Sequence, residues 1–390
     1  MMKYSVLKKT VFFALFTLSI QISFAQNLLL SKEAKASVLT CGTSNEIYAL
    51  FGHTAIRITD TINGIDVVYN YGAFDFSTSN FALKFVKGNL QYFAVANSYT
   101  DFIANYTYEK RSVYEQVLNI SAPQKQRLFD NLNQSLQLEN REYTYKFIDQ
   151  NCTSMAVDVI NRSLNQKIIV KKGDTDKSYR TILYPYFDHH FYEQLGTSSI
   201  FGTKTDQLGT AIFLPFELKK SLDQIKLNQT PIVKENKTLL EFEPEPNYSW
   251  WNNPYTYLLF LGLILILNKS SIDAIYLTIM AVLGLTFAFL GIYSTHLELA
   301  NNYNILLFNP SLIALLYCAK ANNKKGMKYV LWFNLMALAS YTLIVINKPH
   351  LWIVAPLIIT NGLILVRRFW NKQRWYTKYD IRYTIKNVTI

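Results

Sequence analysis

Two residues of this chain have the chemistry of a proton-transfer pair. His53 sits in Phe51-Gly52-His53-Thr54-Ala55-Ile56-Arg57-Ile58, which reads as the start of a strand. Cys152 sits in Asp149-Gln150-Asn151-Cys152-Thr153-Ser154-Met155, which reads as the start of a helix. A thiol at a helix N-terminus meets backbone N–H groups without intrahelical partners and the positive end of the helix dipole, and both favour thiolate. An imidazole across from it can take the proton and later return it, which is the chemistry of an acyl-thiol intermediate.

The elements around the pair suggest how it is held. Asn63-Gly64 is a hairpin signal between His53–Thr61 and Ile65–Tyr71. Folding about that turn places Tyr71–Asp75 opposite His53, so Asp75 and Asn70 are candidates to orient the imidazole. Tyr69 and Tyr71, in the same segment, are candidate substrate-binding residues. Asn151 has two open readings, a side-chain donor to an oxyanion or a cap for the helix. The Cys152 N–H is a candidate oxyanion donor. A competing reading makes Cys152 structural, paired with Cys41 in an oxidising compartment.

Further elements follow from periodicity. Ser37–Thr40 and Val113–Leu118 read as strands, and Tyr143–Phe147 alternates and delivers the chain to Asn151. Ser121-Ala122-Pro123-Gln124 reads as a capping box opening a helix, with Leu128, Phe129, Leu132 and Leu136 on its core face. Met155, Val159, Ile160 and Leu164 would anchor the helix that carries Cys152. Adjacent His189 and His190 beside Asp188 point to opposite faces of an extended chain, with no second ligand pair at a suitable spacing. No metal site or other cofactor is expected. Ala211–Phe216 is apolar and is assigned to the core.

Residues 1–25 carry the pattern of a secretory signal peptide: Lys3, Lys8 and Lys9, an apolar run from Val11 to Ile20, then Ser23-Phe24-Ala25. An exported domain over 26–230 and a polar linker over 231–249 would follow. A membrane domain over 250–366 is next, with apolar runs at Tyr255–Leu267, Ala274–Tyr293, Ile305–Ala319, Tyr329–Ile346 and Leu351–Val366. Five spans is the reading, or four if the first run lies in the interface behind the aromatic belt of Trp250, Trp251, Tyr255 and Tyr257. The predicted inner segments hold Lys269, then Lys320, Lys324, Lys325 and Lys328, then the cations of a basic cytoplasmic tail over 367–390; the outer loops hold Lys348. This asymmetry follows the positive-inside rule and an odd number of spans. It also accounts for much of the formal +12 charge, so a nucleic-acid partner is not expected. The outer loop with Ser294-Thr295-His296-Leu297-Glu298 would lie beneath the exported domain, which makes His296 a candidate substrate-binding residue.

The linked elements FGHTAIRI, VYNYGAFDF and DQNC, followed by the apolar runs, resemble the Lnb-type lipoprotein N-acyltransferases over nearly the whole mature chain. The thiol domain is similar to the permuted papain-like group that includes lecithin:retinol acyltransferase, in which histidine also precedes an Asn-Cys pair. The resemblance implies an α+β fold, a permuted papain-like domain followed by an α-helical membrane domain of about five spans. It implies Cys152 as nucleophile and His53 as general base and acid. The implied reaction moves an acyl chain from a membrane phospholipid, through a Cys152 thioester, to the α-amine of a diacylglyceryl-cysteine lipoprotein. The implied place is the inner membrane, with the catalytic domain on the periplasmic side. The alternatives are a membrane-anchored thiol hydrolase (a cell-wall peptidase or amidase, or a phospholipase) and a non-enzymatic sensor or scaffold.

Overall fold

Three consecutive strands, β1 (Lys35–Cys41), β2 (His53–Asp60) and β3 (Ile65–Ala73), form an antiparallel meander. The computed structural model describes residues 28–243 and 248–386, with side chains to Arg368; the expected signal peptide lies outside the described residues. Gly64 closes the β2–β3 hairpin at φ +64°, a left-handed conformation that costs glycine nothing. β4 (Gln91–Ser98), β5 (Val113–Leu118), β6 (Glu142–Thr144) and β9 (Val233–Leu240) complete the sheet, after a small ribbon of β7 (Lys226–Leu227) and β8 (Thr230–Pro231). The strand order β6-β4-β3-β2-β1-β5-β9 sets the strand of His53 at the centre.

Alternation along the strands divides the core between two faces. On one face, α2 (Tyr99–Tyr108) packs Phe102 and Tyr106 against Leu39, Cys41, Ala55 and Val68. On the other, α3 (Ala122–Gln134) and α4 (Cys152–Leu164) pack against Ile56, Ile58, Tyr69 and Tyr71. α1 (Phe81–Lys87) lies between β3 and β4. The Ser121/Gln124 capping box opens α3 as its sequence predicts, and Leu128, Phe129 and Leu132 are buried. α5 (Tyr179–Leu183), α6 (Phe191–Ile200) and α7 (Pro215–Gln224) follow. The apolar stretch around Phe213 enters a third core cluster with Leu50, Ile148 and Tyr179.

The expected linker over 231–249 is corrected: its first half is the edge strand β9, paired to β5 with Glu115 opposite Lys237. Exposed Lys and Glu on this strand read as linker in the sequence, yet they are what an edge strand carries to discourage further pairing. The exported domain therefore extends past residue 230.

The membrane region holds α8 (Pro254–Leu267), α9 (Ser270–Tyr293), α10 (Leu312–Lys320), α11 (Lys324–Val345) and α12 (Leu351–Lys386). Among the described residues three helices are long and apolar enough to cross a bilayer: Ser270–Tyr293, Lys324–Val345 and Leu351–Arg368. α8 has 14 residues, about 21 Å at the helical rise, and α10 has 9. The expected third run, Ile305–Ala319, is helical in its second half because Asn304 is pulled upward. Its amide donates to the Ser198 carbonyl (3.2 Å) and the Phe201 carbonyl (3.1 Å) of the exported domain. Lys348 meets Asp206 of the exported domain at one end of the bundle. Arg367 meets Asp273 and the Leu265 carbonyl (3.0 Å) at the other. Tyr257, expected in the aromatic belt, is buried, whereas Trp250, Trp251 and Tyr255 are exposed.

Candidate active site

His53 is the first residue of β2, and Cys152 the first residue of α4. The residues that follow them, Thr54 and Thr153, join these two elements by a buried hydroxyl–hydroxyl hydrogen bond of 2.9 Å. The β2–β3 ladder ends at Ala55–Asn70, and the Thr54 N–H beyond it reaches the Cys152 sulfur. Gly72, at a register shift in β3, has φ +111°, and a Cβ there would lie 3.8 Å from Cys152 Cβ and 3.9 Å from the Tyr143 hydroxyl. Glycine at this point supplies the backbone conformation that brings the edge of the sheet beneath the thiol.

Asn70 fixes the imidazole. Its Oδ1 lies 3.1 Å from His53 Nε2, and its amide nitrogen donates to Asn97 Oδ1 (3.2 Å) and the Val68 carbonyl (3.4 Å). Reversing the amide would set oxygen against two oxygens, so the oxygen faces the ring and Nε2 carries the proton. Nδ1 is then the free base, and the thiol is bonded to the imidazole. Covering the Cys152 sulfur pushes the thiol up. The His53 charge and hydrogen bond, the Thr54 N–H and the Thr153 hydroxyl more than offset this, so the thiol lies below its ordinary value.

Asp75, the other candidate for orienting the ring, is turned away. Its carboxylate accepts from Ser77 N–H (2.8 Å) and Ser77 Oγ–H (2.6 Å) in an exposed local turn. These bonds to Ser77 hold its carboxyl below the usual range. Two residues, Ala73 and Phe74, separate Asp75 from Gly72, and the chain has left the ladder before it arrives.

Asn151 is the helix cap. Its Oδ1 accepts from Thr153 N–H (2.9 Å) and Ser154 N–H (3.1 Å), while Nδ2 donates to the Phe147 carbonyl (2.7 Å) and the Phe213 carbonyl (2.9 Å). Both amide protons are used, so Asn151 positions Cys152 and has no donor left for an oxyanion. The Cys152 N–H takes no part in this cap, whose donors are the Thr153 and Ser154 N–H groups. Sequence reasoning missed a further polar group: the Tyr143 hydroxyl is buried without a partner, in the neighbourhood of Cys152. Its signal was present in the alternating Tyr143–Phe147 run that leads into Asn151-Cys152. Cys41 and Cys152 are both free thiols. Among the described residues no three His, Cys, Asp or Glu side chains converge as metal ligands would.

Residues 25–185 match the family model of the Lnb N-terminal periplasmic domain, and residues 248–380 match that of the Lnb transmembrane domain. The chain belongs to the Lnb family. It is a membrane protein with a periplasmic part, and both His53 and Cys152 fall within the first match. Comparison with curated proteins and with solved structures returned no match.

The remaining candidates in this Lnb chain lie elsewhere. Tyr69 donates to Asn133 Oδ1 (2.8 Å) and Tyr71 to Ser135 Oγ (3.1 Å), both buried against α3 on the core face of the sheet. They are packing residues, because odd-numbered positions of β3 face the helices while Asn70 faces the imidazole. His296 is 8 % exposed and its Nε2 lies 3.0 Å from the Phe85 carbonyl. Its loop is docked into the periplasmic domain: Thr295 N–H donates to the Lys87 carbonyl (2.9 Å), and Glu298 Oε1 accepts from Ile148 N–H (2.9 Å). His296 therefore belongs to the joint between the two regions.

Proposed function

We propose that this protein is a lipoprotein N-acyltransferase of the inner membrane, with its catalytic domain on the periplasmic side. The observation that carries the reading is the imidazole–thiol pair, His53 fixed as the Nε2–H tautomer by Asn70 and Cys152 held at a capped helix N-terminus. A strand histidine before a helix-terminal cysteine also suits a permuted papain-like arrangement. The five alternating helices suit five passes, with α8 and α10 completed by the segments that lead into them.

In the first half-reaction His53 Nδ1 takes the Cys152 proton, and the sulfur attacks the ester carbonyl of a phospholipid. The tetrahedral oxyanion is met by the Cys152 N–H and the Tyr143 O–H. The C–O bond breaks as His53 returns the proton to the lysophospholipid oxygen, leaving a thioester. In the second half, the neutral α-amine of a diacylglyceryl-cysteine attacks the thioester and His53 accepts its proton. The C–S bond breaks, giving an amide, and the thiol is restored with that proton.

Purified full-length protein supplied with acyl-labelled phospholipid and a diacylated lipopeptide should form a labelled Cys152 thioester, then move the label to the lipopeptide amine. Release of the label as free fatty acid at an equal rate with and without lipopeptide would overturn transfer in favour of hydrolysis. In cells lacking the protein, diacyl lipoproteins should accumulate; unchanged triacyl forms would point to another acceptor.

A further inference from the structure

A groove of about 770 Å³ runs between α8, α9 and the underside of α6, within the ~300–1,000 Å³ of ordinary small-molecule sites. We propose that it holds the acyl chain of the phospholipid donor and leads that chain from the bilayer to Cys152. The proposal rests on the acyltransferase reading and names the part of its substrate that this surface recognises.

The lower walls are Phe260 on α8 and Ile275 and Ile279 on α9, each at least half exposed. The groove exists because α8 is tied to α12 rather than to α9. Tyr257 donates to the Ile353 carbonyl (3.2 Å), and Arg367 reaches the Leu265 carbonyl (3.0 Å). The gap beside α9 opens sideways, where the surrounding medium is hydrocarbon.

The upper end is what distinguishes this groove from ordinary lipid-facing surface. Its walls there include Phe51 and Phe147, whose rings meet at 5.3 Å. Phe51 is two residues before His53, and the Phe147 carbonyl accepts the Asn151 amide (2.7 Å) that caps the Cys152 helix. An apolar track thus joins the membrane helices to residues close in the chain to both members of the pair. Among the residues lining it, Glu193 carries the sole charge, and its carboxylate accepts from Asn252 Nδ2 (2.8 Å). A headgroup finds no partner here, whereas an acyl chain meets apolar side chains like the hydrocarbon it leaves. The chain whose carbonyl is attacked must end at the sulfur, so the donor's acyl chain is the occupant, not the chains already on the acceptor.

Gly196 on α6 lines the groove, and a Cβ there would meet nothing within 4 Å. Gly262 on α8 is equally open and does not line it. Gly196→Trp should slow Cys152 thioester formation from dipalmitoyl phosphatidylethanolamine at least tenfold, but slow it less than twofold from a dibutyryl donor. Gly262→Trp should leave both unchanged. Iodoacetamide labelling of Cys152 should be the same in all three proteins, which shows that the thiol centre is intact. In Cys152→Ala protein placed in phosphatidylethanolamine–phosphatidylglycerol vesicles, a phospholipid with a diazirine near one chain end should label Phe260, Ile275 and Ile279 above Leu343 and Trp352. Gly196→Trp should remove that excess.

Even labelling of all lipid-facing residues would reduce the groove to annular surface and overturn the proposal. A Gly196→Trp defect confined to amine transfer, with thioester formation intact, would assign the groove to the acceptor and also overturn it. If unaltered protein forms no thioester with any phospholipid, the acyltransferase reading falls; the labelling map still decides whether the groove binds a chain.

Discussion

Cys41 and Cys152 both lie beside His53, yet their surroundings give them opposite chemistry. Cys41 is the direct partner of His53 across β1–β2, buried among Leu39, Val68, Phe102 and Tyr106. Burial pushes its thiol up to about 12, against weaker lowering by the Tyr106 hydrogen bond and Arg111. Cys152 is also held up by desolvation, but the imidazole, an unpaired strand N–H and a hydroxyl converge on its sulfur and bring it below the ordinary value. Proximity to histidine in the fold is therefore not what activates a thiol. Direction decides: the His53 ring is turned by Asn70 toward the helix end and away from β1.

The widest separation between the two sites should come from their removal. Cys152→Ala should cut thioester formation and acyl transfer by at least ~10⁴-fold, as loss of a nucleophile does, while Cys41→Ala should retain transfer within a few-fold. Intact-protein mass spectrometry with labelled phospholipid reads both, and a transfer-competent Cys152→Ala protein would end the nucleophile assignment.

Tyr143→Phe comes next. Loss of one oxyanion donor costs ~10²–10³-fold, so transfer should fall by about 10² while alkylation of Cys152 is unchanged. A drop in both would make Tyr143 a packing residue. Asn70→Ala should lower transfer by about ten- to a hundredfold, from one hydrogen bond of ~1.5–3 kcal/mol on the charged imidazole, and Asp75→Ala should leave it unaltered. The reverse outcome would mean that the ring is turned by the other side chain.

The smallest effect is a displacement in pH. Because the Cys152 pKa is lowered in the folded protein by the imidazole, the Thr54 N–H and the Thr153 hydroxyl, its thiolate appears, and iodoacetamide labelling rises, at lower pH than for an ordinary free thiol. The midpoint should move upward in His53→Ala, where desolvation remains and the imidazole is gone. Labelling of Cys41 should stay negligible until well above that range. Equal midpoints for the two thiols would erase the comparison.

Much of the site was legible before any coordinates. A strand and a capped helix could be read around His53 and Cys152 because their signals are local: Asn63-Gly64 for the hairpin, and the 3.6-residue face of Met155, Val159 and Ile160 for the helix. The third residue was not legible. Choosing Asn70 over Asp75 needs the register of β3 and the point where its ladder stops, and a shift of one residue exchanges the faces. The same alternation removed Tyr69 and Tyr71 from the site. β9 was hidden because its Lys and Glu are those of an exposed edge, and pairing to β5 spans more than a hundred residues of sequence.

What the amino-acid sequence determined by itself is the inventory: a histidine and a cysteine on separate elements, followed by apolar runs that carry few charges. These follow from short-range periodicity and from the cost of moving charge across hydrocarbon. The tertiary structure decided which side chain orients the ring, that Asn151 spends its amide protons on the Phe147 and Phe213 carbonyls, and that the Tyr143 hydroxyl is buried without a partner. It also decided that the His296 loop is a joint between the two regions. Each of these depends on how elements pack against one another, and no local pattern encodes that packing.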